Sequence, residues 1–190
     1  MEAVPDTESL LEQARAGDAA AFSALCRVHE TPLLRQARAL CGNDTLAEDL
    51  AQDTLVEAWK GLRRYNGRCR FFTWLCAILL NRYRNTLRAQ RPLSVSWLAR
   101  PGQDADEGPL DLVTDDGPTP DEIAAERDCA ALVRQGVSRL PPKHRQVVYL
   151  RFYVDDSLEG IAAALGCSVG TVKSRLFYAL EKLRAMKLNL

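Results

Sequence analysis

An all-α fold of two small helical lobes joined by an acidic linker is what this sequence predicts, and three observations predict it. Helical apolar spacing runs almost unbroken through residues 6–91 and resumes over 119–190, with no convincing alternating strand pattern. Between them, PLSVSWLARPGQDADEGPLDLVTDDGP (92–118) is rich in Pro, Gly and Asp and has no period, so it reads as a linker. Charge divides along the chain as well. Residues 41–59 hold five acidic and no basic residues, 60–91 nine basic and no acidic, and 92–120 six acidic against one basic. The net charge of zero therefore hides patches, and says nothing against a nucleic-acid partner. The expected division is 1–91, 92–118 and 119–190.

In the first lobe, TPLLRQARALCG (31–42) ends on Gly42, a residue suited to the left-handed conformation that stops a helix. Thr45 and Glu48 have capping-box spacing and predict a helix from 45 to about 62. Leu46, Leu50, Ala51, Leu55 and Ala58 would face the core. Glu48, Asp49, Gln52, Asp53, Val56 and Glu57 would face outward. An acidic face with one exposed aliphatic fits docking on a basic protein surface, though it equally fits plain solvation. After a turn at YNGRC comes a long helix from about Phe71 to Arg88. Phe71, Phe72, Leu75, Ile78 and Leu79 supply its buried side. Arg70, Thr73, Ala77, Asn81, Arg84 and Arg88 follow helical steps as one polar and basic stripe, flanked by Trp74 and Asn85. Such a stripe can hold a nucleic-acid backbone and engage exposed bases, with Asn66, Arg68 and Arg70 of the preceding loop beside it. Trp74 reads equally well as core, and Arg82 falls towards the apolar side.

Thr119, Pro120 and Glu122 mark the start of the second lobe: a cap, a proline at the first helical position and a glutamate three residues past the cap. Asp156 and Glu159 make a similar start for SLEGIAAAL, whose Ile161 and Leu165 face inward. Gly166 ends that helix, and Ser168 caps the next after a very short turn. In that last helix Val169, Val172, Leu176, Leu180 and Leu183 form the buried stripe. Gly170, Lys173, Ser174, Phe177 and Tyr178 lie opposite, with Arg175 at the edge. Two helices joined by a tight Gly-containing turn, the second with a basic outer face, make a helix-turn-helix. Small residues at the start let the helix N-terminus approach a duplex, and Lys173 and Arg175 can reach phosphates or base edges. A solvated surface helix is the plainer reading of the same residues.

Composition excludes several classes. The longest apolar run, FFTWLCAILL (71–80), is far short of the roughly 20 residues that span a bilayer, and the acidic N-terminus does not resemble a secretory signal. A cytoplasmic protein is expected. Six cysteines form no CxxC pair and read as small buried hydrophobes in a reducing compartment. Cys26, His29 and Cys41 are the nearest approach to a metal or redox set, and no metal or other cofactor is predicted. Two histidines, no glycine-rich phosphate loop and no nucleophile–base pair leave an enzyme nothing to work with.

Together these stretches resemble the extracytoplasmic-function, or group IV, bacterial sigma factors. DTLAEDLAQDTLVEAW (44–59) is similar to the family's polymerase-binding helix. FFTWLCAILLNRYRNTLR (71–88) is similar to its helix for the promoter minus-ten element, and 140–184 to its domain for the minus-thirty-five element. The resemblance implies a two-domain protein that binds core RNA polymerase through the clamp helices and flap and directs initiation at particular promoters. It implies that Glu48, Asp49, Gln52, Asp53 and Val56 meet polymerase. Asn66, Arg68, Arg70, Trp74, Asn81, Arg84 and Arg88 would open the minus-ten region and hold its non-template strand. Ser168, Gly170, Thr171, Lys173, Ser174, Arg175 and Tyr178 would read the minus-thirty-five duplex. The linker would thread the polymerase channels. With the chain ending soon after its last helix, control by a separate anti-sigma factor is expected, the protein being a monomer when free or bound 1:1 to that inhibitor. The rival reading is a dimeric helix-turn-helix regulator acting without polymerase.

Overall fold

The computed structural model describes residues 7–90 and 136–186. The expected linker at 92–118 and the cap at Thr119 lie outside these residues. Helix α1 (Thr7–Arg15) turns at Gly17, and the Asp18 carboxylate accepts from the Ala20 and Ala21 amides at 2.8 and 3.2 Å to start α2 (Ala19–Cys41). That helix is longer than the 31–42 segment suggests, because it runs through Pro32. The proline withholds a donor only from the Val28 carbonyl one turn back, on an exposed stretch of helix where water can serve instead. At Gly42, with φ of 62°, the helix stops as predicted, and the Gly42 amide donates to the Arg38 carbonyl.

Helix α3 (Asp44–Gly61) is capped by Asn43, not by Thr45. The Asn43 side chain accepts from the Leu46 amide at 2.9 Å, an Asn being as good a cap as Thr, and the helix starts one residue earlier. A short 3₁₀ turn (Leu62–Arg64) and a loop lead to α4 (Phe71–Gln90). In the second lobe, residues 136–138 are helical, followed by α5 (Pro142–Phe152), α6 (Leu158–Leu165) and α7 (Val169–Ala185). The α6 cap is Ser157, whose hydroxyl accepts from the Gly160 amide at 3.0 Å. Asp156, expected to cap, is turned away towards the first lobe. Among the described residues every regular element is helical.

Leu25, Leu33 and Leu40 of α2, Leu50 of α3, Leu62, and Leu75 and Leu79 of α4 are fully buried and hold the first lobe together. Each contributes about 1.5–3 kcal/mol by leaving water. Val147, Leu150, Ile161 and Val172 do the same for the second lobe, with Leu140, Val148, Ala179 and Leu183 in an adjoining cluster. Ala179 takes the buried place in α7 that the spacing gave to Leu180, which is only half-buried. Arg145 is buried too, donating to the Ser138 and Leu140 carbonyls at 2.5 and 3.0 Å and so tying the start of this lobe down.

The lobes pack on one another across α4. Thr73 is fully buried and Ala77 nearly so, whereas the stripe read from the sequence placed both on an outer face. Periodicity cannot separate a residue facing solvent from one facing a second lobe when that residue is small. Arg82, unplaced by the sequence pattern, pairs with Asp53 and so joins α4 to α3.

His29 of α2 lies against Phe71 and Phe72, with ring centroids 5.3 and 5.9 Å away, and its Nε2 is buried without a hydrogen-bond partner among the described residues. Burial lowers its pKa from the usual 6.5. The folded chain therefore takes up this proton less readily than the unfolded one. The stability this group provides is complete above the unfolded value and is lost as pH falls through the lower folded value. Thermal unfolding at pH 7.5 and pH 5 should show a larger drop for the wild type than for His29→Gln; equal drops would mean another group governs that range.

Candidate nucleic-acid interface and docking faces

The acidic face of α3 is exposed at Glu48, Asp49, Gln52 and Asp53, as its spacing demands. Two of these carboxylates are engaged: Glu48 lies 3.8 Å from Arg38 of α2, and Asp53 pairs with Arg82. Val56 is 51% exposed and borders an apolar groove between α2 and α3, lined by Phe22, Cys26, Leu55 and Trp59. The groove has a volume of about 440 Å³, and the Phe22 and Trp59 rings meet along it at 4.9 Å. The acidic helix thus carries an apolar slot beside its charges. Trp59, itself 38% exposed, escaped the sequence reading, although its place one turn beyond Val56 was the available signal.

The loop before α4 is built as a fixed turn. The Asn66 side chain accepts from the Arg68 amide at 3.0 Å, Gly67 takes φ of 73°, and the Tyr65 hydroxyl donates to the Cys69 carbonyl at 2.5 Å. Asn66 and Arg68 are left exposed on it. Trp74 is half-buried against Tyr65, Phe71 and Gly61, so much of its ring serves the core. A cleft of about 830 Å³ opens beside this loop and is lined by Arg15, Arg68, Arg70 and Asp156 among others. Burial pushes the Cys69 thiol up to about 11 and Cys76 up to about 12, which leaves both protonated and unreactive near neutrality.

Arg70, at the end of the loop, and Asn81 and Arg84 on α4 do fall on one side, but that side meets the second lobe. Arg70 donates to the Val154 carbonyl at 2.9 Å and to that of Asp155, and its Nε stands 3.4 Å from the Asp156 carboxylate. Asn81 accepts from Gln146 at 3.1 Å. Arg84 is half-buried against α5, its Nε enclosed and without a hydrogen-bond partner among the described residues. Arg88, one turn on, is exposed.

The helix-turn-helix is formed by α6 and α7. Gly166 sits at φ of 63° and ψ of 38°, and the Cys167 amide donates back to the Ala162 carbonyl at 3.0 Å, closing the turn. Ser168 accepts from the Thr171 amide at 3.1 Å, starting α7 as the sequence predicts. Lys173, Ser174, Phe177 and Tyr178 are exposed, and Arg175 is half-buried at the edge. The Ser174 hydroxyl donates to the Gly170 carbonyl, so the cationic and aromatic side chains are the outward-reaching ones. Gly166→Val should cost roughly 1–2 kcal/mol of stability, because a branched residue resists the left-handed conformation. Chemical denaturation measures that loss, and an unchanged midpoint would show that the turn is not under this constraint.

Among the described residues no helix is long and apolar enough to cross a membrane, and no group of His, Cys, Asp and Glu could hold a metal ion. The Cys26, His29 and Cys41 set considered from the sequence does not converge. An acidic helix with an apolar slot beside it and a helix-turn-helix with a basic outer face are the arrangement of a DNA-binding protein of the transcription-factor class.

Comparison with known proteins makes the class specific. Residues 25–92 match the Sigma-70 region 2 family and residues 136–185 the Sigma-70, region 4 family. The ECF RNA polymerase sigma factor SigL of Mycobacterium tuberculosis is 34% identical over 90% of this chain and 91% of its own length. The structure of CnrH in complex with the cytosolic domain of CnrY is similar with a TM-score of 0.60 and 28% identity, covering 96% of this chain and 97% of that one. The sigma factor RpoE bound to the anti-sigma factor NepR from Bartonella quintana gives a TM-score of 0.56 and 25% identity over 89% and 98%. The chain belongs to the extracytoplasmic-function sigma factors of the sigma-70 family, DNA-binding factors of transcription initiation.

Proposed function

We propose that this chain is a non-enzymatic, cytoplasmic initiation factor that joins core RNA polymerase, opens particular promoters and is held in check by an anti-sigma factor. The observation that carries this reading is the presence of both sigma-70 regions in one chain, with the acidic α3 face on the first and the basic α7 face on the second. Residues 1–91 take polymerase and the minus-ten element, 92–118 form the linker, and 119–190 take the minus-thirty-five element.

On α3, Asp49, Gln52 and Asp53, with Glu48 beside them, meet basic residues of the polymerase clamp helices, and Val56 and Trp59 supply a desolvated centre to that contact. Charge alone steers and orients, whereas an apolar centre excludes water and slows dissociation. On α4 and its loop, Asn66, Arg68, Arg70, Trp74, Asn81, Arg84 and Arg88 hold the non-template strand of the minus-ten region. Bases pulled out of the duplex gain contacts that the stacked duplex cannot offer, so binding drives strand separation. On α7, Ser168, Gly170 and Thr171 bring the helix N-terminus to the phosphates. Lys173, Arg175 and Tyr178, with Ser174, then lie along the major groove. No cofactor takes part.

Complexes such as that of RpoE with NepR support the inhibitor half of the proposal by likeness of fold and sequence. Holoenzyme assembly tests the polymerase half: mixed with bacterial core polymerase, the chain should coelute with it at 1:1. Failure to coelute, together with a dimer that binds duplex DNA alone, would favour the dimeric regulator instead.

A further inference from the structure

The cleft beside the 66–70 loop has walls from three distant parts of the chain, and the polymerase and promoter roles leave most of it unassigned. One wall is a single face of α1, where Glu8, Leu11, Glu12 and Arg15 stand at helical spacing. At about 1.5 Å per residue, Glu8 and Arg15 are about 10 Å apart along the axis, so this wall is acidic at one end and basic at the other. Arg68 of the loop belongs to the second wall, and the turn around Asp156 and Ser157 to the third. Arg15 and Arg68 are exposed, and neither guanidinium has an ion-pair partner among the described residues. The Asp156 carboxylate is engaged within the fold: the Thr73 hydroxyl and the Ser157 amide donate to it, and the Arg70 Nε stands 3.4 Å away. Two cations of the cleft therefore stay uncommitted. Aromatic rings line it as well. Phe72 is half-buried and stacks on His29 with 20° between the ring planes, and Tyr65 meets Phe71 edge-on at 5.6 Å.

We propose that this cleft binds a free nucleoside diphosphate or triphosphate, with the phosphate chain on Arg15 and Arg68, the base against Phe72, and ribose hydroxyls or base amino groups donating to Glu12. A guanidinium grips phosphate oxygens through paired, charge-assisted N–H donors. A base offers a flat face to an aromatic ring, whatever its identity. The pairing of a basic end with an acidic one selects for a ligand that is anionic at one end and rich in donors at the other. An inorganic anion would use the basic end alone, and a nucleoside would leave both arginines unmet. The volume of about 830 Å³ lies within the range of about 300–1,000 Å³ usual for small-molecule sites.

A nucleotide within an unpaired DNA strand offers the same chemistry, and the third wall separates the two sources. Residues of the second lobe close that side of the cleft and meet Arg70, Thr73 and Asn81. A strand laid along α4 and this wall exclude one another, whereas a mononucleotide fits between the walls. The site also stands apart from the strand-holding reading of α4, because Glu12 and Arg15 belong to α1 and have no part in that reading.

The test uses the full chain with two readouts: isothermal titration calorimetry with GDP and with ADP, and fluorescence anisotropy with a short labelled single-stranded DNA of random sequence. At least one nucleotide should bind 1:1 at micromolar concentration. Its nucleoside and inorganic pyrophosphate should each bind at least about tenfold more weakly, since each lacks one half of the contacts. Arg15→Ala removes a charge-assisted contact and should weaken nucleotide binding about tenfold or more, while strand affinity stays within about twofold. Arg15 is an exposed residue at the end of α1, and circular dichroism confirms that the variant keeps its helices. No binding of either nucleotide at millimolar concentration overturns the site, as does nucleotide binding unchanged in Arg15→Ala. Pyrophosphate binding as tightly as the nucleotides also overturns it, reducing the cleft to a simple anion site. Strand binding weakened by Arg15→Ala, with no nucleotide bound, gives the cleft to the strand and overturns the proposal while leaving α4 its role. A nucleotide bound as expected with no strand binding supports the site and removes the α4 assignment.

Discussion

Replacing Asn81 and Arg84 together by alanine is expected to lower promoter opening by the holoenzyme about 100-fold, while polymerase binding stays within about twofold. The estimate follows from losing two polar contacts to an unpaired strand, one of them charged, at about 1–2 kcal/mol each. Neither side chain belongs to the buried core of the first lobe: Asn81 is exposed and Arg84 half-buried, so the double variant should fold. Both also contact the second lobe, Asn81 through Gln146. Their loss loosens that contact as well as the strand contact, and the expected fall is the net of the two. Permanganate reactivity of unpaired thymines measures opening directly, and the polymerase affinity of the same samples separates opening from assembly. Unchanged opening would remove the stripe from the strand-holding role.

The second large effect falls on assembly. Asp49→Arg with Asp53→Arg should weaken binding to core polymerase by about 100-fold or more, since like charges placed across an interface cost several kcal/mol. Asp53 is paired with Arg82, so its reversal also sets two cations against each other between α3 and α4. Both partners are substantially exposed, and such pairs contribute little to stability. A small shift in melting temperature is therefore expected alongside a large shift in affinity. Asp49→Arg alone, which disturbs no pair described in the structure, should retain a good part of the affinity loss at an unchanged melting temperature. Retained affinity in both would count against the acidic face as the docking surface. Polymerase affinity should also fall with added salt more steeply for the wild type than for the variants, because the wild-type contact is the more electrostatic.

The features legible in the sequence were those written within a few residues of one another. Gly42 and Gly166 stop helices because a left-handed residue is needed there, and Ser168 starts α7 because a hydroxyl at that place accepts the Thr171 amide. The acidic arc of α3 and the outer face of α7 likewise follow from spacing on a single helix. Short-range reasoning failed where two local answers competed. Asn43 stands two residues before Thr45 and captures the start of α3, and Ser157 next to Asp156 captures the start of α6. A capping pattern records which residues could cap, and the backbone selects one.

Two positions of the α4 stripe differ from their spacing for another reason. Thr73 and Ala77 look like outward residues of a basic stripe, and nothing within α4 shows that Asp156, 83 positions away, comes to lie on Thr73. The apolar slot beside Val56 is of the same kind, since Phe22 and Cys26 come from α2 and Trp59 from α3. Both surfaces are made by packing between distant elements, and the pattern of one helix carries no record of its neighbour. Arg82 was unexplained for the same reason, its partner Asp53 being on another helix.

The central claim is that this chain gives promoter specificity to a polymerase that lacks it. Transcription by bacterial core polymerase on a pool of genomic promoter fragments, with and without the chain, tests that claim directly. Transcripts beginning at discrete sites only when the chain is present, with shared sequence about ten and thirty-five base pairs upstream, are the result expected of a factor whose two DNA-reading lobes engage spaced elements. Transcription unchanged by the chain, while its second lobe still binds duplex DNA, would contradict the account.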